Sequence, residues 1–325
     1  MNVLSLFDGM SCAQIALSRA GITVDNYFAS EIDKFSIKVC RANYPSTIQV
    51  GSVKTLNADI LPHIDLLIGG SPCQGFSSSG KQGGFEDERS KLFFEFVRLR
   101  DELIRVNPQL KYLLENVKMS AENVAVISRN LGVHPVEINS SLLSAQNRQR
   151  LYWTNIGNIP QPKDRGILLP SILEHGVTDK DKSYAIDANY AKGGPLSEYY
   201  KKGRRQVVFT EQRTEKAKEI RKFYRKNMGK DYNPRAEKDL FPREDDKANC
   251  ITTCATQQIL IDEAGKFRKL TPVECERLQT VPDNYTNFVS NTQRYKMLGN
   301  GFTVDVIAYI LGFINSPAGG QLELF

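Results

Sequence analysis

The sequence predicts an α/β fold, a mostly parallel sheet that carries a second, smaller domain. Three observations lead there. The run Ile64-Asp65-Leu66-Leu67-Ile68 is apolar and breaks into Gly69-Gly70, as a buried central strand reads where it ends in a loop. Near the start, a strand, a tight turn and a helix are followed by Glu31, about twenty residues past the turn, where doubly wound folds place an acid that accepts ribose hydroxyls. After Ile159-Pro160-Gln161-Pro162 the apolar periodicity weakens while Gly, Pro, Tyr and Lys rise, which marks a domain boundary.

In chain order, residues 3–7 read as a strand, Phe7-Asp8-Gly9-Met10-Ser11-Cys12 as a tight turn, and residues 12–20 as a helix closed by Gly21. Residues 22–30 form the second strand. A helix over 33–44 stops at Pro45, and a short strand leads to Gly51-Ser52. After the strand at 64–68 come a helix at 90–106, a strand at 111–114, a helix at 121–131, and strands at 136–139 and 151–155. Helical patterning returns at 271–278 and 304–313. The expected division is a first domain over 1–158, an inserted domain over 159–267, and a return to the first domain over 268–325.

At 325 residues the chain is long enough for two cores, and its 41% hydrophobic and 25% charged residues are those of a globular protein. No charged leader with an apolar core and cleavage site opens it, so export by that route is not expected. The longest apolar stretch, residues 304–314, contains Asp305 and Gly312 and is too short to span a bilayer. Six cysteines at Cys12, Cys40, Cys73, Cys250, Cys254 and Cys275 make no regular framework, which suits a reducing compartment. Cys250 and Cys254 lack a second pair, and with three histidines in the chain no metal is expected. Of the net charge of +6, residues 201–238 hold fourteen Lys or Arg against five Asp or Glu. A solvated helix over 210–228 would account for part of that run. Tyr199, Tyr200, Phe223, Tyr224 and Tyr232 interleave with it, which suits a phosphate-contacting surface better.

Three short blocks carry the chemistry. Most intracellular cysteines are small buried hydrophobes, but Cys73 stands in the loop after the 64–68 strand, beside Pro72. Glu115-Asn116-Val117 ends the next strand, and in a parallel sheet the two strand ends open on one edge. Gln146-Asn147-Arg148-Gln149-Arg150 brings guanidinium donors just before the 151–155 strand.

These blocks resemble the cytosine-C5 DNA methyltransferases, and the resemblance covers nearly the whole chain. Its blocks stand in the family's order: Phe7-Asp8-Gly9, Glu31, Gly69 to Gln74, Arg89 to Phe96, Glu115-Asn116-Val117, Gln146 to Arg150, Arg268 to Gln279, and Leu298-Gly299-Asn300. The chain's length and the loop Gly80 to Asp87 are similar to the small bacterial and phage enzymes. Phe7-Asp8-Gly9 and Leu92 to Phe96 are also similar to the animal de novo enzymes. The fold so implied is the Rossmann-like S-adenosylmethionine-dependent methyltransferase fold with a target-recognition domain.

The resemblance implies S-adenosylmethionine as donor, leaving as S-adenosylhomocysteine, in a site of Phe7, Asp8, Gly9, Glu31, Ile32, Ser52, Pro72, Asn300 and Thr303. Phe7 would pack on the adenine, Gly9 would admit the methionine part, Glu31 would take the ribose hydroxyls and Asn300 would help close the site. Two positions depart from the family. Its Gly-Asp pair, with the aspartate on the adenine amine, is here Gly51-Ser52, and its Gly-Asn-Ser is here Gly299-Asn300-Gly301. Cys73 would be the nucleophile at cytosine C6, Glu115 the acid at N3, and Arg148 and Arg150 the groups that hold the base. Because C6 must be approached from above the ring, the cytosine must leave the duplex stack. Residues 75–90 would close over it, with Ser79, Lys81 and Arg89 on the DNA.

Phosphate contacts are expected from Lys201, Lys202, Arg204 and Arg205, and a base-side contact from Thr252 in Ile251-Thr252-Thr253. Arg268 to Glu274 would brace the inserted domain. The partners implied are double-stranded DNA, bound by a monomer, and a cognate restriction enzyme. The implied location is the cytoplasm, at the nucleoid. A tRNA-methylating relative shares these blocks, although the long basic insertion speaks against it. A catalytically silent DNA-binding relative would not need Cys73, Glu115 and Arg148. A nicotinamide-dependent oxidoreductase would not need the Pro72-Cys73 loop.

Overall fold

In the computed structural model, residues 1–72, 92–193, 196–209 and 267–314 are described. Cys73, Ser79, Lys81, Arg89, Thr252 and the expected helix over 210–228 lie outside these residues.

Strands too apolar to leave a face in water build the centre. β1 (Asn2–Leu6), β2 (Asn26–Ser30), β3 (Ile48–Gln49), β4 (Leu66–Gly70) and β5 (Lys111–Val117) run parallel. Val3, Leu4, Leu66, Leu67, Ile68, Leu113 and Leu114 are each 0% exposed, so both faces of the sheet are covered. The crossover helices are α1 (Cys12–Arg19), α2 (Lys34–Asn43) and α3 (Leu92–Val106), and α4 (Ala121–Leu131) leads on from β5 to β6 (Val136–Asn139). Phe93, Phe96, Leu99 and Leu103 of α3 and Ile127 and Leu131 of α4 pack on one face with Leu4, Leu67 and Trp153. The opposite face meets α1 and, from the end of the chain, α9 (Val304–Leu311).

β7 (Gln146–Asn147) is followed by β8 (Gln149–Thr154), which inserts antiparallel between β5 and β6. The sheet order is β3-β2-β1-β4-β5-β8-β6. The chain winds outward from β1 to β3, then returns to β4 on the other side of β1. A crevice therefore opens at the carboxyl ends of β1 and β4.

Several boundaries differ from the sequence reading. β2 begins at Asn26 because the amide of Ile22 closes α1, donating to the Leu17 carbonyl at 3.0 Å, and Gly21 is left-handed at φ +69°. β5 runs on to Val117, so Glu115 and Asn116 stand in the ladder opposite Tyr152 and Leu151. The helix α8 (Asn291–Asn300) was not anticipated, since its residues are mostly polar. It follows α7 (Pro272–Leu278), which Thr271 and Glu274 cap reciprocally.

Packing does not break where the composition does. Past residue 159, α5 (Leu169–Ile172) and β9 (Ser183–Tyr184) lead to Ile186 and Tyr190, and Leu169, Ile172, Ile186 and Tyr190 join the same core as α1 and α9. β9 pairs with β7. Beyond them α6 (Leu196–Lys202) leads to β10 (Val207–Phe209), paired antiparallel with β11 (Phe267–Lys269). Tyr199, Val207 and Phe209 make a small cluster of their own. Arg268 pairs with the buried Glu274 at 2.7 Å, and Glu274 also accepts from the Glu174 amide at 2.9 Å. Among the described residues no helix is long and apolar enough to cross a membrane.

Candidate active site

Between β1 and α1 the chain must reverse within a few residues, and Phe7, Gly9 and Ser11 all take left-handed backbone angles, at φ 56°, 60° and 65°. For a side-chain-bearing residue this conformation costs about 1–2 kcal/mol. The turn is held from inside. The buried Asp8 carboxylate accepts from the Ser11 hydroxyl and, at 2.6 Å, from the Tyr27 hydroxyl, and Tyr285 donates to the Met10 carbonyl at 2.7 Å. Burial pushes the Asp8 carboxyl up to about 6, against the pull of the Ser11 and Tyr27 hydrogen bonds. Asp8, expected at the donor, thus borders the cleft while its carboxylate serves the turn.

Glu31 follows β2 and reaches back to this turn. Its Oε2 accepts from the Gly9 amide at 2.7 Å, and its Oε1 accepts from the amides of Ile32 and Asp33, each at 2.7 Å. Three amides fix the carboxylate, and Oε2 keeps an acceptor position. Beside it Ile32 is 77% exposed. Ser52, after β3, accepts from the Lys54 amide at 3.3 Å, while Arg98 of α3 donates to the Val53 and Leu56 carbonyls at 3.1 and 2.9 Å. Phe7, Glu31, Ile32, Ser52, Pro72 and Asn300 all line one cleft of about 760 Å³, a size that suits a cofactor.

At the end of β4 the missing side chains matter. A Cβ on Gly70 would stand 2.7 Å from Phe302 Cε1 and 3.2 Å from Glu115 Oε2. Only glycine lets that aromatic ring and that carboxylate approach the strand. Asn116 donates to the Ser71 hydroxyl at 3.0 Å, anchoring the residues that lead through Pro72 into Cys73. Glu115 Oε1 lies 3.0 Å from Arg150 Nε, with both side chains largely buried. Arg150 reaches this edge because β8 runs antiparallel: its first residues pair with the last of β5, Arg150 opposite Val117.

One expected residue stands outside the cleft, and another lines it while its guanidinium bonds backbone carbonyls. Thr303 is buried and does not line the cleft; its hydroxyl donates to Gln279 Oε1 and accepts from Ser140, each at 2.9 Å. Arg148 borders the cleft, yet its guanidinium donates to the carbonyls of Ile186, Gly299 and Gly301 at 3.0, 3.1 and 3.1 Å. Of the predicted guanidinium pair, Arg150 is the one beside Glu115. Sequence reasoning missed Phe302, Met297 and Cys12, which also line the cleft. Burial pushes the Cys12 thiol up to about 12, so it stays protonated and unreactive.

A family model described as C-5 cytosine-specific DNA methylase matches residues 1–316. The chain belongs to that family. The methylase is 31% identical over 331 residues to the type II methyltransferase M1.ScrFI of Lactococcus lactis subsp. cremoris, covering 94% of this chain and 76% of that one. It is 30% identical over 330 residues to the type II methyltransferase M.NlaX of Neisseria lactamica, covering 95% and 94%. A solved structure of a DNMT2 mutant from Spodoptera frugiperda superposes with a TM-score of 0.63 at 21% identity, over 96% of this chain and 99% of that one, and shares the fold. The chain is a DNA cytosine-5-methyltransferase that uses S-adenosylmethionine.

Proposed function

We propose that the methylase takes one cytosine out of duplex DNA into the space beside Glu115 and Arg150, adds Cys73 to C6, and directs the donor's methyl group to C5. What carries this reading is the Glu115–Arg150 pair, 3.0 Å apart at the sheet edge where Asn116 anchors the residues running into Cys73. Cytosine C5 is too weak a nucleophile to be methylated directly, so a thiolate must first make it enamine-like. The thiolate is the nucleophile; a free thiol has a pKa of about 8.5, and positive charge beside a thiol raises its ionised fraction. Glu115, sharing a proton with N3, stabilises the charge that addition pushes into the ring. Arg150 holds Glu115 and the base edge. After transfer a base removes the C5 proton, the C5–C6 double bond re-forms, and Cys73 leaves.

The cleft fits the donor, which supplies a methyl group activated by a sulfonium. Phe7 and the exposed Ile32 offer apolar faces to a purine, Glu31 Oε2 accepts a ribose hydroxyl beside Gly9, and Asn300 also lines the cleft. Ser52, with no carboxylate, offers the adenine amine a hydroxyl oxygen that already accepts from Lys54.

Residues 159–267 serve as the recognition domain, although Leu169, Ile172, Ile186, Tyr190 and Val208 within that range share the core of the catalytic sheet. Ser79, Lys81, Arg89 and Thr252 belong to the DNA side of this reading. The enzyme works as a monomer on DNA in the cytoplasm, at the nucleoid, and a restriction enzyme of matching specificity is its candidate partner. Bisulfite sequencing of DNA treated with the purified protein tests the function. Methylated cytosines in one sequence context are expected, lost in Cys73→Ala while donor binding persists. Label transfer to tRNA and none to DNA would overturn the reading.

A further inference from the structure

We propose that Arg148 is a positioning residue: it caps the carboxyl end of α8 from a distant strand connection and so fixes Asn300 at the donor cleft. The proposal rests on reading that cleft as the donor site. A helix leaves its last four carbonyls without internal partners, and those of α8 are Met297, Leu298, Gly299 and Asn300. The Gly301 amide takes Met297 at 2.8 Å, Gln279 Nε2 takes Leu298 at 2.6 Å, and Arg148 takes Gly299 at 3.1 Å. Arg148 and Gln279 then meet on the Gly301 carbonyl, at 3.1 and 3.2 Å. A cation at this end also complements the helix dipole.

The third carbonyl on Arg148, that of Ile186, extends the clip to the connection after β9. This segment lies hard against α8: a Cβ on Gly299 would stand 2.2 Å from the Asp187 carbonyl carbon and 2.4 Å from the Ala188 nitrogen. Gln146, two residues before Arg148, accepts from the Ile186 amide at 2.9 Å and donates to Gln279 at 3.2 Å. Arg148 therefore joins the last turn of α8 to the connection that continues toward the basic segment. Arg150, two residues on, serves the base instead. The same short block thus sends one arginine to the donor side and one to the cytosine side.

The two roles separate in two measurements. One is the affinity for S-adenosylmethionine by calorimetry. The other is donor-free exchange of the cytosine C5 hydrogen in duplex DNA, in which Cys73 adds to C6, C5 takes a solvent proton and loses its own, and Cys73 leaves. For Arg148→Met the donor Kd is expected to rise at least tenfold while exchange stays within about threefold of wild type. Arg148→Lys should recover part of the donor affinity, since an ammonium still reaches a carbonyl. Arg150→Met should show the reverse, with exchange lost and donor affinity kept. If Arg148→Met does not fold, the same pair of measurements on Arg148→Lys decides, with an intermediate loss of donor affinity expected. Lost exchange with an unchanged donor Kd in either Arg148 variant would overturn the proposal. Wild-type protein that binds donor but neither exchanges nor methylates DNA would instead overturn the proposed function and leave the donor-affinity comparison readable.

Discussion

Burial holds the Asp8 carboxyl at about 6 in the folded protein, against an ordinary value of 3.8. Between those two pH values the native state binds more protons than the unfolded chain, so stability falls as pH rises from about 4 to about 6 and then levels. The shift corresponds to about 3 kcal/mol at most. Asp8→Asn removes the titration while keeping an acceptor for Ser11 or Tyr27. The urea midpoint of wild type relative to that variant should therefore drop across pH 4–6 and stay flat from 6 to 8. A flat difference throughout would mean that the Asp8 carboxyl does not carry the proton. Glu115 makes a second residue-scale case. Glu115→Gln keeps an acceptor for Arg150 but cannot share a proton with the base, so single-turnover methyl transfer should slow by about 10²-fold or more, with donor affinity unchanged. A loss below threefold would remove Glu115 from proton handling. The place of Glu115 near the end of β5 was legible in the sequence, because a polar residue follows an apolar run there. The division of labour between the two arginines was not. Nothing in Gln146 to Arg150 says that Arg148 turns to the carbonyls of α8 while Arg150 turns to Glu115, since that depends on which way β8 runs.

Among the elements, strands buried on both faces announced themselves, and β1, β4 and β5 stand close to where their apolar runs placed them. α8 did not, because Gln293, Arg294 and Lys296 give it little apolar stripe. Its place is set by partners: the buried Arg294–Glu276 pair at 3.0 Å, Lys296 on Asp33 at 2.7 Å, and the Gly299 contact with residues 187 and 188. Gly299→Ala would force α8 or that segment to shift, since a Cβ cannot stand 2.2 Å from a backbone carbon. A cost of about 1–3 kcal/mol is expected, read as a lower urea midpoint, together with weakened donor binding because Asn300 moves. An unchanged midpoint would show that the two segments separate freely. Arg98 acts between elements in a similar way, tying α3 to the Val53 and Leu56 carbonyls below the donor cleft. Arg98→Met should raise the donor KM several-fold with little change in kcat. An equal fall in kcat would show that α3 disturbs the chemistry itself.

For the whole molecule the open physical question is how a chain with a net charge of +6 meets DNA. Fourteen Lys or Arg against five acids in residues 201–238 make the positive charge regional, and the structure distinguishes among the first four. Arg205 donates to the Gly193 carbonyl and takes a left-handed backbone at φ 61°, so it holds the entry to β10. Lys201 and Lys202 end α6 on an exposed face beside Tyr200, which is 54% exposed. Arg204, half-buried, stands between that exposed helix end and β10. Each phosphate neutralised on duplex DNA contributes about 0.9 to the slope of log affinity against log salt. Replacing Lys201, Lys202 and Arg204 together by Gln should flatten that slope by up to about 2.7 and weaken binding similarly on every sequence. The sequence context of methylation should stay as it is, because phosphate contacts carry no base information. Donor affinity should also stay constant, which separates lost DNA contacts from a damaged fold. A slope equal to that of wild type would mean that this face is merely solvated, and that the regional charge acts through the remainder of residues 201–238.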